Sequence, residues 1–238
     1  MTGTTPPGAQ SEQDTARWVR GMFGRISGRY DFLNHLLSFN LDRRWRARLV
    51  DRVADVVARP DARVLDLCCG TGDVLAAIET RKNCTCFGSD FCHPMLIEAK
   101  RKVRSPLLEA DALMLPLRDE SFDLITIAFG FRNLANYRTG LLELLRVLRP
   151  GGVAAILEFS QPSNRAFAAI YTSFSTRVLP WIGGIISGSR DAYAYLPESI
   201  RKFPSAEELD AEMRTAGFRQ VEVDRMTGGA VALHLARK

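Results

Sequence analysis

The chain has 238 residues, of which 46% are hydrophobic and 25% charged, and its formal net charge is +5. That length suffices for one large α/β domain and is tight for two, and no stretch approaches the roughly 18 to 20 apolar residues of a membrane span. The excess charge sits early: residues 1–60 hold ten Arg against six acids, +4 of the total, a basic edge that suits an anionic surface or a solvated helix face.

Residues 1–10, rich in Thr, Pro and Gly, read as a disordered leader, and 11–238 as one domain. Helical patterning starts near Ser11 and continues through Trp18, Met22 and Phe23. Asp42 suggests an N-cap for a helix to about Ala58, with Trp45, Leu49, Val53 and Val56 on one face. Together 11–58 form an N-terminal helical cap. From 63 the pattern alternates: strands over 63–68, 84–90, 107–111, 122–129 and 153–159, and helices over 73–80, 93–103 and 139–148. Pro150-Gly151-Gly152 reads as a turn into the fifth of these strands. A helix over 206–216 then leads to two strands, 218–226 and 230–236, that read as a hairpin around Gly228-Gly229. The expected fold class is α/β: a doubly wound, mostly parallel Rossmann-like sheet with a terminal antiparallel hairpin and N-terminal helices. Residues 164–195 break the rhythm, and inserted segments of this architecture cover the crevice at the strands' carboxyl ends. They are the expected lid.

All five cysteines fall between Cys68 and Cys92. An odd count without a secretory pattern at the N-terminus argues against a disulfide framework and for a cytoplasmic protein. Cys84-Thr85-Cys86 has no second spaced pair to complete a chelate, so no metal is expected.

The strongest motif is the run from Val64 to Asp73, in which a hydrophobic strand ends in a turn with Gly70, Thr71 and Gly72 and a helix follows. Glycines there let a ligand approach the backbone. A dinucleotide fits poorly: Leu75 holds the third glycine position, and Asp73 would face a pyrophosphate at the helix N-terminus. S-adenosyl-L-methionine has no phosphate and is cationic. Asp66 can face its methionine end, Asp90 its ribose hydroxyls and Asp111 its adenine amino group, with the N–H of Ala112 meeting a ring nitrogen. Three acids at successive strand ends converge on one crevice.

Segments far apart then give the chain its resemblance to the ubiquinone/menaquinone biosynthesis C-methyltransferase family. They are Phe23 to Asn34 with Leu37-Ser38, the motif at 64–73, Ala110-Asp111-Ala112 with Leu115-Pro116, Phe129-Gly130-Phe131-Arg132-Asn133, and Arg146 to Gly152. Leu157-Glu158-Phe159-Ser160, Tyr195-Leu196 through Ser199-Ile200 to Phe203-Pro204, and Gly228-Gly229 to His234 complete the series. The likeness runs from about residue 18 to the end. It implies methylation of demethylmenaquinol, or of a methoxy-polyprenyl-benzoquinol, with cofactor contacts at Thr71, Asp90, Asp111 and Ala112. The chain departs from the family pattern at Asp42, where a His often stands, and at Cys68, where Ala is usual.

A ring carbon attacking a methyl group must come within about 3 to 3.5 Å of it, and a quinol becomes strongly nucleophilic once a hydroxyl with pKa near 10 is deprotonated. Arg132 is the expected stabiliser of that anion, with Tyr30 joining the hydrogen-bond relay. His35, His93 and His234 have no partnered spacing in the sequence and are not chosen as bases. Apolar residues of the inserted segment, among them Phe167, Tyr171, Phe174 and Trp181, suit a polyprenyl tail. The expected partners are therefore a lipid-tailed quinol and, peripherally, an anionic membrane, with a homodimer left open. A phenolic O-methyltransferase is the rival enzyme. An RNA-binding protein is the rival of another class; it lacks aromatic–basic interleaving on strands, so no nucleic-acid partner is expected.

Overall fold

The computed structural model describes residues 3–6, 8–81, 84–162 and 190–238. Four helices come first: α1 Glu12–Ile26, α2 Tyr30–Leu37, α3 Leu41–Arg52 and the short α4 Ala54–Val57. The α1 helix starts where Ser11 accepts the backbone N–H of Asp14 at 3.1 Å, a regular N-cap. The sheet strands are β1 Arg63–Leu67, β2 Thr85–Asp90, β3 Leu107–Glu109, β4 Phe122–Ala128 and β5 Leu148–Phe159, and the closing hairpin is β6 Gln220–Met226 with β7 Val231–Arg237. Between them lie α5 Asp73–Glu79, α6 His93–Ala99, α7 Tyr137–Val147, α8 Arg190–Lys202 and α9 Ala206–Ala216.

Seven strands form one sheet in the order β3-β2-β1-β4-β5-β7-β6, parallel except for β7, which runs antiparallel to both neighbours. The side-chain period of two decides the layers. Leu65, Leu67, Ile125, Ile127, Ala154 and Ile156 face α7 and α9 through Leu141, Leu144, Leu209 and Met213. Val64, Leu124, Val153, Ala155 and Leu157 face the other way, onto Trp45, Leu49, Leu75 and Ile78 of α3 and α5. A smaller cluster of Val19, Met22, Ile26, Leu33 and Tyr195 ties α1 and α2 to α8. Both faces of the parallel strands are thus covered, as such strands require.

Several expectations need correction. Asp42 is not a cap: Asn40, in a left-handed conformation (φ 60°), stands at the N-cap, and Asp42 lies buried inside the first turn. The α3 helix ends at Arg52 because Val53 leaves helical geometry (φ −109°, ψ 12°). Pro150-Gly151-Gly152 does not end the pairing: Leu148 already partners Phe122, and the register slips between Phe122 and Leu124, so these residues form an irregularity within β5. The α8 helix was not foreseen, since Pro197 lies inside it and a proline ordinarily argues against a helix. Of the expected lid over 164–195, residues 164–189 lie outside the described residues and the rest begin α8. Part of the supposed leader is held: the N–H groups of Gly3 and Thr4 donate to Ala135 and Leu134 at 3.1 and 3.0 Å, and Thr4 is buried. Among the described residues, no helix is long and apolar enough to cross a membrane.

Candidate functional site

Strand order reverses between β1 and β4, and in open α/β sheets that switch point opens a crevice at the carboxyl ends. Both strands leave it through a non-glycine residue in left-handed geometry, Cys68 (φ 54°) after β1 and Phe129 (φ 60°) after β4. Such conformations each cost about 1 to 3 kcal/mol and concentrate at functional sites. The two motif glycines serve different ends. A Cβ on Gly70 (φ 55°) would meet only the Tyr30 ring, at 4.0 Å, so it would project into the crevice. A Cβ on Gly72 (φ 85°) would press on Ala99 and Val103 at 3.3 Å, so that glycine serves helix packing.

The crevice is a cleft of about 1100 Å³ including its open mouth. Gly70, Asp90, Asp111 and Ala112 line it together with Leu67, Cys68, Phe91 and Phe129, while Glu12, Ala16, Phe23 and Tyr30 of the first two helices roof it. Asp90 is buried and accepts the N–H of Gly70 and of Cys92, both at 2.9 Å. Burial pushes its carboxyl up to about 6 against these donors. Asp111 accepts the N–H of Leu113 at 2.9 Å, which fixes its turn. Among the described residues, three acids and no basic side chain line the cleft. Such a set of acceptors fits a cationic, hydroxyl-bearing ligand and repels a pyrophosphate. S-adenosylmethionine fits it.

Three of the expected cofactor residues stand behind the wall. Asp66 is buried between β1 and β4, where it accepts the Thr126 hydroxyl at 2.6 Å; burial lifts its carboxyl to about 7. The Thr71 hydroxyl donates to Asp31 of α2, and Lys102 donates to Asp31, to Thr71 at 3.3 Å and to Asp73 at 2.7 Å. This lysine bolts the glycine turn to the helix that carries Tyr30. Gly72 begins α5.

A second hollow, about 1240 Å³, adjoins the first and shares Tyr30 and Phe129 with it. Its walls are mostly carbon: Leu37, Phe39, Leu41, Trp45, Phe159, Leu196 and Ile200. Arg132 lies in this wall, 5% exposed, in the turn Phe131–Asn133 after β4. Its Nη1 donates to Glu158 at 2.9 Å and to the carbonyl of Phe129 at 2.7 Å, its plane lies over Phe159, and its buried Nε has no partner among the described residues. Burial opposes the guanidinium charge, but Glu158, Tyr30 and Tyr195 together offset it and raise the pKa. Glu158 is itself raised by burial, with Arg132 and the N–H groups of Arg132 and Phe159 pulling the other way. The Tyr30 phenol is raised by burial, opposed by Asn34 and Arg132, so it remains a neutral donor at pH 7. At the rim, Asp42 accepts Ser38 at 2.6 Å, pairs with His35 at 2.8 Å and with Arg46, and despite burial these partners hold it below the usual carboxylate range.

The structure therefore brings Tyr30, Gly70, Asp90, Asp111, Ala112 and Arg132 to two joined chambers, and sets Asp66, Thr71 and Gly72 behind them. The sequence reading missed Glu158, whose signal was one acid in an otherwise apolar strand, and Asn133, which lines the cleft and accepts the Tyr195 hydroxyl at 3.1 Å. It also missed the pairing of His35 with Asp42, seven positions apart across a helix break, which no single period reveals. His93 and His234 contact Glu109 and the carbonyl of Ala206, away from both chambers.

A profile of the ubiE/COQ5 methyltransferase family matches residues 9–238. A demethylmenaquinone methyltransferase of Thermus thermophilus is 47% identical over 220 residues, covering 90% of this chain and 98% of its own. A ubiquinone/menaquinone biosynthesis C-methyltransferase UbiE of Geobacter sulfurreducens is 43% identical, with 92% and 88% covered. Among solved structures, a SAM-dependent methyltransferase of Thermotoga maritima superimposes with a TM-score of 0.64 over 92% of this chain and 99% of its own; at 19% identity that likeness speaks for the fold alone. With the acidic cleft and the matched profile together, the chain belongs to the ubiE/COQ5 methyltransferase family and is an S-adenosylmethionine-dependent methyltransferase.

Proposed function

We propose that the protein methylates a ring carbon of a lipid-tailed quinol in respiratory quinone biosynthesis, converting demethylmenaquinol to menaquinol. The observation that carries this reading is the junction of an acidic cleft and an arginine-bearing apolar hollow at Tyr30 and Phe129. The names of the relatives from Thermus and Geobacter support the substrate. Asp90, Asp111, Ala112 and Gly70 would hold the cofactor, with Asp66, Thr71 and Gly72 shaping the turn beneath it. When bound, S-adenosylmethionine supplies an electrophilic methyl group on a sulfonium.

The hollow has the make-up of a quinol site. Its carbon walls take the ring and the start of the tail and exclude water. Arg132, kept protonated by Glu158, offers fixed positive charge to a hydroxyl that becomes anionic. Tyr30, a neutral donor at the junction, can hydrogen-bond that same oxygen. Preorganised donors of this kind act most strongly where water is absent. A tail that lives in lipid implies a cytoplasmic protein that works peripherally at the inner face of the membrane.

Purified protein incubated with labelled methyl donor and a short-tailed demethylmenaquinol tests the reading. Label on a ring carbon supports it. An ether product points to phenolic O-methylation, and turnover confined to a methoxy-benzoquinol moves the substrate to the ubiquinone branch.

A further inference from the structure

On the outer side of α2, Phe32 and Leu36 stand one turn apart with 60% and 39% of their surfaces exposed, and Phe39 follows in the turn to α3 at 70%. A scattered apolar side chain on a surface is ordinary; three exposed within eight positions form an apolar patch. Arg25 precedes this patch, and Arg43 and Arg44 follow it, all of them exposed. The two acids of the same stretch are otherwise engaged, Asp31 with Lys102 and Thr71, and Asp42, buried, with Ser38, His35 and Arg46. The surface is therefore apolar at its centre and positive at its margins. Phe39 also lines the apolar hollow, so one side chain is both exposed at the surface and part of the second chamber's wall.

We propose that α2 and the α2–α3 turn form the membrane-docking face, seated on an anionic bilayer so that the hollow opens toward the lipid at Phe39. This inference rests on the lipid-tailed quinol reading and adds where and how the enzyme meets its substrate. Phe32, Leu36 and Phe39 enter the interface between headgroups and acyl chains, as the apolar face of an amphipathic helix does. The arginines meet anionic headgroups. The ring of the substrate then reaches Arg132 while its tail stays in lipid. A second copy of the chain is the poorer occupant, because a two-fold contact through this patch would bring its arginines against their own counterparts with no free acid of the stretch to neutralise them.

The test is flotation of the full-length protein with vesicles of phosphatidylcholine alone or with added phosphatidylglycerol. The wild type is expected to float with the anionic vesicles only and to be released by salt. Phe32→Ser with Leu36→Ser, and separately Arg43→Glu with Arg44→Glu, should each lower the bound fraction roughly tenfold. Both variants should turn over a soluble short-tailed quinol as the wild type does and fall behind it only on long-tailed quinol in vesicles. Equal flotation of variants and wild type overturns the proposal. So does light scattering that shows a wild-type dimer dissolved by Phe32→Ser with Leu36→Ser. Wild-type activity on the short-tailed quinol without flotation removes the docking face alone, whereas absent activity withdraws the quinol reading beneath it.

Discussion

The cleft at the β1–β4 junction and the hollow beside it share two side chains and little else. One carries carboxylates and no basic group among the described residues; the other carries two guanidiniums, Arg46 paired with Asp42 and Arg132 paired with Glu158, in a wall mostly of aliphatic and aromatic carbon. On the proposed reading a cation settles on one side of Tyr30 and a developing anion on the other. Transfer of a methyl group from a sulfonium to a quinolate cancels both charges, so a boundary between an acidic and a basic chamber is where that reaction gains most from a dry environment. The difference teaches that specificity for donor and acceptor is divided by sign of charge rather than by shape alone.

The largest expected effect comes from the basic chamber. Arg132→Met should lower turnover by about 10² to 10³, the loss found for one preorganised donor to an oxyanion, while calorimetric affinity for the methyl donor stays within a few-fold. Loss of donor affinity in step with turnover would merge the two chambers into one and break the comparison. The same change strands Glu158, which is 1% exposed; the variant should lose about 3 to 5 kcal/mol in urea, and Arg132→Met with Glu158→Gln should recover much of that stability without recovering activity.

The acidic chamber should answer to pH. Asp90 sits at about 6 in the free protein, so donor affinity should be full above pH 7 and decline as pH falls through 6, and Asp90→Asn should flatten that profile. Stability moves the opposite way. A carboxyl raised in the folded state binds its proton more readily there than in the unfolded chain, so its contribution is fully present below the unfolded value of 3.8 and is lost as pH rises through 6. Asp66 sharpens this. Raised to about 7 by burial and placed behind the wall, it should tolerate Asn, which keeps the bond from Thr126. Asp66→Asn should gain on the order of 2 kcal/mol at pH 8 and leave donor affinity unchanged. A loss of affinity there would put Asp66 back in the cleft.

The smallest effect belongs to the bolt between the chambers. Lys102→Met releases Asp31 and the glycine turn together, and because the lysine is only partly buried the expected loss of donor affinity is roughly fivefold. Titration of the variant with donor measures it directly.

The alternation of strands and helices, the order of motifs and the converging acids at β2 and β3 were legible because each is a local pattern: a period, a turn or a strand end. Arg132 and Tyr30 were legible through their motif contexts. What stayed hidden depends on tertiary pairing. Asp66 carries the same residue type near a strand end as Asp90, yet it pairs with Gly88, two positions short of Asp90, and so sits further back in the sheet, against Thr126. Glycine at 72 looked like a ligand contact because the turn offers no hint of Ala99 and Val103 packed above it. The apolar surface expected over 167–182 lies outside the described residues; among the described ones a hollow is built from α2, α3, α8 and the turn before β7, residues whose hydrophobic spacing reads equally well as core.

The pair formed by Arg132 and Glu158 has a consequence for how this enzyme can diverge. Each partner, buried in carbon, is tolerated only while the other is present, so a change at either position alone passes through an uncompensated interior charge. New acceptor chemistry in descendants of this chain must then arise from the walls around Arg132, where aliphatic and aromatic residues can be exchanged one step at a time, or from two coincident mutations. In that sense the guanidinium is the hardest part of the site to exchange, and the surrounding carbon is its adjustable part.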